Sequence, residues 1–167
     1  TQQTRPRLEV LSAAYALRRQ IQGEAAARGF LETQVPAPAR GMFSMALLKN
    51  GHFDLLTSDF IDPAQEAPKG RECVWLIKLA GWLARDRQPK ELEAAILGHY
   101  QGSGADYYHS IGTFMLGLLE RDDLLARITT AKQRCEFAYY IGLKERLAGH
   151  FEEAATWYQI CLQTLLQ

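Results

Sequence analysis

The sequence predicts an all-α protein, and three observations support that prediction. Apolar residues recur every three to four positions through most of the chain, as they do on one face of a helix. No segment alternates apolar and polar residues over enough positions to predict a strand. The predicted helices are short and are joined by turns of two to ten residues. This pattern favours a stack of antiparallel helix pairs, an α-solenoid, over a bundle of fewer and longer helices.

The periodicity and the positions of glycine and proline define about ten helices. In chain order they are predicted at Leu8–Gln22, Glu24–Gln34, Arg40–Lys49, His52–Phe60, Arg71–Arg85, Lys90–Tyr100, Asp106–Leu119, Leu124–Thr129, Ala131–Leu147 and Phe151–Leu166. Gly23 separates the first two, and Pro36 ends the second because proline disfavours helix in the residue before it. Pro89 suits the first turn of the sixth helix, and Asp122 or Asp123 is expected to cap the eighth.

The longest irregular stretch, Ile61–Gly70, contains two prolines and a glycine. Ten residues make a loop rather than a domain linker. We therefore expect a single helical-repeat domain covering residues 1–167, either by itself or within a longer chain.

Charge and cysteine content exclude several classes of protein. Nineteen basic and nineteen acidic residues leave no net charge to attract nucleic acid or an anionic membrane. No run approaches the roughly 20 apolar residues that span a bilayer. Cys73, Cys135 and Cys161 lie far apart without a CxxC pair, which argues against a disulfide scaffold and against a cysteine-rich zinc site. We expect each to be a small core residue. The sequence does not distinguish a cytoplasmic from a periplasmic location.

The best-defined helix pair, Cys135–Leu162, resembles a tetratricopeptide (TPR) repeat. The matching positions are Ile141-Gly142, Gly149, Phe151, Glu153-Ala154, Tyr158 and Cys161. In such a repeat, Gly142 and Ala154 let the two helix backbones approach, while Phe151 and Tyr158 fill the seam between them. Bulky aromatic residues of the family are replaced here by Ala138 and Glu145, as in a degenerate or terminal repeat.

A second, weaker copy falls at Ala37–Pro63, and its matching positions are Phe43-Ser44, Gly51, Phe53 and Phe60. Leu56 replaces the alanine of the family, so we expect looser packing there. The chain from Ala37 onward is also similar to bacterial TPR proteins of the periplasmic lipoprotein type, through the helix Trp75–Ala80. That resemblance implies an adaptor that docks other proteins, sometimes as a homodimer. No lipobox cysteine lies near Thr1.

The TPR resemblance also implies a concave groove lined by the first helix of each pair. Carried over to this sequence, the partner-binding residues are Glu136, Tyr139, Leu143 and Arg146, with Met45, Leu48 and Lys49 in the weaker copy. Glu136, Tyr139, Leu143 and Arg146 are spaced by three, four and three residues, so they share one helix face. An aromatic residue, an adaptable methionine and flanking cations suit a peptide groove. In the alternative interpretation, Tyr139, Leu143 and Met45 simply pack against the next helix.

These observations predict a non-catalytic TPR-like scaffold that binds a protein or peptide through the groove or through an exposed terminal helix. The terminal helix carries Ile160, Leu162, Leu165 and Leu166 without a polar capping helix after it, and a partner or a second copy would cover that face. No catalytic residue, cofactor or metal is predicted, since the histidines share no ligand spacing. The alternative is an enzyme or small-ligand sensor with a pocket around His99, Tyr107, Tyr108 and His109.

Overall fold

The computed structural model describes residues 4–57, 60–66, 68–84, 90–102, 104 and 106–165. Within these ranges all regular secondary structure is helical and no strand occurs, which confirms the predicted all-α class. The described residues contain nine α-helices: α1 (Thr4–Gln22), α2 (Glu24–Gln34), α3 (Arg40–Lys49), α4 (Pro68–Leu83), α5 (Lys90–Tyr100), α6 (Tyr107–Met115), α7 (Arg121–Leu125), α8 (Ala131–Leu147) and α9 (Phe151–Leu165). Short 3-10 helices occur at Ala37–Ala39, Phe53–Thr57 and Pro63–Gln65.

Four helices, α2, α3, α5 and α8, have the predicted boundaries. The predicted helix His52–Phe60 is wrong as an α-helix, because the chain there forms the 3-10 helix Phe53–Thr57, and residues 58–59 lie outside the described ranges. The fourth α-helix begins at Pro68 rather than at Arg71, since proline is well tolerated in the first turn of a helix.

The segment between α6 and α8 differs most from its prediction. Helix α6 stops at Met115, four residues before the predicted end. Helix α7 is preceded by Glu120 as its N-cap, so Asp122 and Asp123 lie in its first turn instead of capping it. Their negative charges still suit that turn, because the N-terminal end of a helix carries partial positive charge.

Residues 1–96 form one compact unit, called unit 1 here. Helix α1 packs on α2 and α3, and α3 packs on α4. The Asn50 side-chain amide donates a hydrogen bond of 3.1 Å to the buried Ser12 hydroxyl, which ties α1 to the end of α3. The largest fully buried side chains of unit 1 are Tyr15, Leu31, Phe43, Leu47, Leu48, Leu55, Leu56, Phe60, Ile61, Leu76 and Ile77.

Residues 97–167 form a second compact unit, called unit 2. Helix α8 packs against α9 and also contacts α6. Thr130 and Gln133 form a reciprocal capping box that satisfies backbone donors at the start of α8. The long side chain of Lys144 donates a 2.7 Å hydrogen bond to the Phe114 carbonyl and lies over the Phe114 ring. These contacts tie α8 to the C-terminal end of α6.

None of the helices in the described segments is both long enough and apolar enough to cross a membrane. The predictions of one continuous domain and of a solenoid stack stay predictions.

Candidate interaction surfaces

The pair α8–α9 is joined along a seam formed by Cys135, Gly142, Ala154, Tyr158 and Cys161. A Cβ atom on Gly142 would lie 2.8 Å from Tyr158 Cε1 and 3.2 Å from the Ala154 carbonyl oxygen. Both distances are too short for an ordinary contact, so the close approach of the helices requires glycine at this position. Ala154 is buried against it. The predicted close packing at Gly142 and Ala154 is confirmed.

Phe151 does not fill the seam, contrary to the prediction. Its side chain is 70% exposed, because it is the first residue of α9 and lies beside the turn. Trp157 on the same helix packs on Phe137 instead, with ring centroids 6.2 Å apart in an edge-to-face arrangement. The predicted turn at Gly149 is therefore present, with φ of 85°, but the aromatic side chain that follows it faces solvent.

The predicted contact residues of α8 have different surroundings. Leu143 is only 1% exposed, so its side chain is part of the core. Glu136 accepts a 3.2 Å hydrogen bond from the Tyr108 hydroxyl and lies 3.7 Å from Lys132. Arg146 is exposed. Leu143 is therefore too buried to contact a partner. Glu136, Tyr139 and Arg146 remain as predicted contact residues on α8.

Tyr139, Tyr158 and Arg146 form a polar aromatic cluster beside the seam. The Tyr139 and Tyr158 ring centroids are 5.9 Å apart. Burial raises the pKa of Tyr139 to about 12, with a further contribution from Tyr158 and an opposing one from Arg146. Burial also raises the pKa of Tyr158, against the effect of Arg146. Both phenols therefore stay protonated at neutral pH.

Met45 and Lys49 line a recess on unit 1, called the α1–α3 recess. Its volume is about 240 Å³, and its lining consists of Leu8, Glu9, Met42, Met45, Ala46, Lys49 and Asn50. Leu48, the third predicted residue of this set, is 1% exposed and belongs to the core. The structure therefore brings two of the three predicted residues of α3 into one shallow, mainly apolar site.

The outer side of α1 is also apolar. Val10, Leu17 and Ile21 are 66%, 57% and 71% exposed. Their spacing of seven and four residues places them on one face, opposite the buried Ser12 and Tyr15. An exposed apolar face on α1 was not predicted from the sequence. A helical-wheel plot of the apolar residues separates this face from the one that carries Ser12 and Tyr15.

A wider cleft lies elsewhere on unit 1 and was not predicted. Its volume is about 710 Å³, and it is lined by Ile61, Asp62, Pro63, Ala64, Gln65, Arg71, Trp75, Lys78, Leu92 and Ala95. Arg71, Trp75 and Lys78 follow one another at intervals of four and three residues, so they share a face of α4. The feature of the sequence that indicates this cleft is Lys78, a charged residue within the apolar run of α4.

The predicted pocket around His99 and the tyrosines divides into two parts. The rings of His99 and His109 lie 5.3 Å apart, and each ring also contacts Tyr100. The Tyr107 hydroxyl instead donates a 2.5 Å hydrogen bond to the Gln133 carbonyl, and the Tyr108 hydroxyl donates to Glu136 on α8. Burial and the nearby Glu136 raise the pKa of Tyr107. The two phenols therefore connect α6 to α8, while the two imidazoles meet edge to face.

The predicted terminal-helix residues are described only in part. Leu162 is 61% exposed and Ile160 is half-buried. The Leu165 side chain and residue Leu166 lie outside the described part of the chain.

Comparisons of this chain with protein-family models, with curated proteins and with solved structures found no match. The resemblance to TPR proteins therefore stays a prediction, and we infer the function from the surfaces described above.

Proposed function

We propose that this protein is a non-catalytic, TPR-like scaffold that binds a segment of another protein. The observation that carries the proposal is the α1–α3 recess, where Met45 and Lys49, two residues expected to touch a partner, lie together. An apolar side chain of the partner enters this recess, and the polar groups at its edge orient the bound segment.

The lining of the recess suits a peptide. Met42 and Met45 are unbranched and polarizable, so they adapt to side chains of different shape. Glu9, Lys49 and Asn50 provide a carboxylate, an ammonium group and an amide for hydrogen bonds to a backbone or to polar side chains. This combination resembles the apolar centre and polar rim of protein interfaces.

The size of the recess also favours a peptide side chain over a cofactor. Sites for small molecules and cofactors typically measure about 300–1,000 Å³, and the α1–α3 recess at about 240 Å³ falls below that range. One large side chain, or two small ones, would fill it.

The exposed stripe of α1 extends the apolar surface available to unit 1. Three large apolar side chains more than half exposed on one helix face are unusual for a surface without a binding role. On unit 2, Tyr139 and Arg146 offer an aromatic and a cationic contact, which are the residue types that most often dominate binding energy. These surfaces are additional contact sites in the proposed scaffold.

Peptides selected from a random phage-displayed library on the immobilised protein provide the ligand for a test. Their dissociation constants are measured by fluorescence anisotropy for the wild type and for Met45→Asp. A buried carboxylate in the recess should weaken binding by about tenfold or more. Unchanged affinity for Met45→Asp would contradict the proposed site.

Charge reversal in the recess has a matched control. Lys49→Glu changes the edge of the recess, whereas Lys90→Glu makes the same change at an exposed position of α5 that does not line it. We expect Lys49→Glu to alter peptide affinity and Lys90→Glu to leave it within about twofold, as for a rim charge outside an interface. Equal effects would indicate nonspecific electrostatic attraction.

The second candidate function is binding of a small ligand, and the cleft beside α4 favours it. Its volume of about 710 Å³ lies within the range of small-molecule sites. Trp75 provides an aromatic wall, and Arg71 and Asp62 provide opposite charges. A fragment library screened by ligand-observed NMR tests this function. Hits that Trp75→Ala abolishes and Met45→Asp leaves unchanged would favour it over the scaffold.

A further inference from the structure

Two cysteines face each other across the α8–α9 seam. The Sγ atoms of Cys135 and Cys161 are 2.7 Å apart, and no disulfide bond joins them in this structure. A disulfide bond has an S–S length of about 2.05 Å, so the sulfurs need to approach by less than about 1 Å. The two helices already present the thiols to each other, and the bond can form without repacking the pair.

The register of the helix pair explains this juxtaposition. Ala148 follows the last residue of α8 at the turn. Cys135 lies thirteen residues before it and Cys161 thirteen residues after it, while Gly142 and Ala154 each lie six residues away. In an antiparallel helix pair, residues equally distant from the turn come together. The close approach at Gly142 therefore also brings the two thiols into contact.

We propose that Cys135 and Cys161 are a modification site that forms an intramolecular disulfide by exchange with a low-molecular-weight disulfide such as oxidised glutathione. This inference does not depend on the proposed binding function. Cys161 is half-buried and Cys135 is buried, so the small disulfide reaches Cys161 first. Cys135 then acts as the resolving thiol.

The exchange proceeds in two balanced steps. The Cys161 thiolate attacks one sulfur of oxidised glutathione, forms a mixed disulfide and releases one glutathione thiolate. The Cys135 thiolate then attacks the Cys161 sulfur, and the second glutathione leaves as a thiolate. Two protein thiols are oxidised, one external disulfide is reduced, and the two protons lost by the cysteines are taken up by the released thiolates.

The bond would link α8 to α9 at the end of the pair opposite the Gly149 turn. A cross-link between residues 26 positions apart removes many conformations from the unfolded chain and so stabilises the folded pair. We expect the oxidised protein to unfold at a temperature higher by roughly 5–15 °C than the reduced protein.

The test uses the purified wild-type chain, incubated with oxidised glutathione and then freed of it. Titration of thiols in denaturant should find one thiol where the reduced protein has three, and the intact mass should fall by two hydrogens. Trypsin cleavage after Arg134 and Lys144 separates the two cysteines. Under non-reducing conditions, the peptide that begins at Cys135 should be joined to the peptide that contains Cys161.

Single-cysteine variants provide the controls. Cys73→Ser should still form the bond and retain no free thiol. Cys135→Ser should keep glutathione attached to Cys161, since the resolving thiol is absent. The proposal is overturned if the wild type keeps three thiols, if glutathione stays on Cys161 in the wild type, or if the cross-link contains Cys73. Circular dichroism of each variant checks that the helices are retained.

Discussion

The helix pairs α1–α2 and α8–α9 both turn at a glycine with positive φ but differ in what they pack together and in what they expose. Each turn contains a glycine with positive φ, Gly23 at 86° and Gly149 at 85°. In α8–α9, Gly142 lies at the contact between the helices, with the Tyr158 ring against it. In α1–α2, Gly29 is exposed, and a Cβ added to it would meet nothing within 4 Å. A glycine turn therefore joins a pair with a glycine at its seam in unit 2 and a pair whose helical glycine faces solvent in unit 1.

This comparison shows that glycine has two separate roles in a helix pair, which a sequence motif alone does not distinguish. A turn glycine allows the chain to reverse, because it adopts a positive φ without steric cost. A seam glycine sets the distance between helices. Where the seam is tight, as in α8–α9, small residues and thiols face inward. The pair in unit 1 instead carries the exposed apolar stripe of α1 and one wall of the α1–α3 recess.

Alanine substitutions at the two helical glycines should have opposite effects. Gly142→Ala places a methyl group against the Tyr158 ring and the Ala154 carbonyl, and we expect it to lower the free energy of unfolding by about 1–3 kcal/mol. Gly29→Ala adds helix propensity in open space and should raise it by about 0.5–1 kcal/mol. Urea denaturation measures both. Stabilisation by Gly142→Ala would show that the seam is not tightly packed.

Alanine at either turn glycine should be destabilising. An alanine at Gly149 or Gly23 would be held at positive φ, which costs about 1–2 kcal/mol for a residue with a Cβ atom. Asparagine tolerates the left-handed helical region and should restore part of the loss at Gly149. It should not do so at Gly23, because ψ there is 172°, in a region that is essentially confined to glycine. If Gly23→Ala proved neutral in urea denaturation, the positive φ of this turn would be wrong.

A hydrogen bond from Asn50 to the buried Ser12 attaches α1 to the end of α3. Ser12→Ala removes one partner of this buried contact and should destabilise unit 1 by about 0.5–1.5 kcal/mol. Thr156→Ala is the control, because the exposed Thr156 hydroxyl donates to the Glu152 carbonyl in the preceding turn of its own helix. A loss for Thr156→Ala as large as that for Ser12→Ala would contradict a specific α1–α3 contact.

The smallest expected effect concerns the pH dependence of the α8–α9 turn. A 2.8 Å hydrogen bond to the Glu145 carboxylate raises the pKa of His150. Since the folded pKa lies above the unfolded value of about 6.5, the contribution to stability is complete below that pH and is lost as pH rises through the folded pKa. An NMR titration of the imidazole measures the shift. Glu145→Gln should lower the His150 pKa, and an unchanged midpoint would exclude the pair.

Much of the fold was predictable because local signals mark it. The boundaries of α2, α3, α5 and α8 follow from glycine, proline and apolar periodicity. The segment His52–Phe60 failed because short helical stretches give no more than two turns of periodicity, which does not distinguish an α-helix from a 3-10 helix. The early start of α4 at Pro68 was missed because a proline was treated as part of a loop.

The candidate site was predictable only in part, since the side-chain environment depends on tertiary packing. One helix face was expected to supply contact residues on α3, yet Leu48 is buried while Met45 and Lys49 line the recess. Leu143 likewise joins the core of unit 2. The thiol pair could have been found from sequence, because Cys135 and Cys161 are equally distant from Ala148. These equal distances predict a contact only if the two segments are first assumed to form an antiparallel helix pair.

The three methionines of the chain allow the most direct test of the proposed scaffold. Met42 and Met45 line the α1–α3 recess, whereas Met115 is buried in unit 2. In protein labelled with ¹³C at the methionine methyl groups, a selected peptide should shift or broaden the Met42 and Met45 signals and leave Met115 unchanged. A peptide that binds tightly yet perturbs neither Met42 nor Met45 would contradict the recess as the binding site.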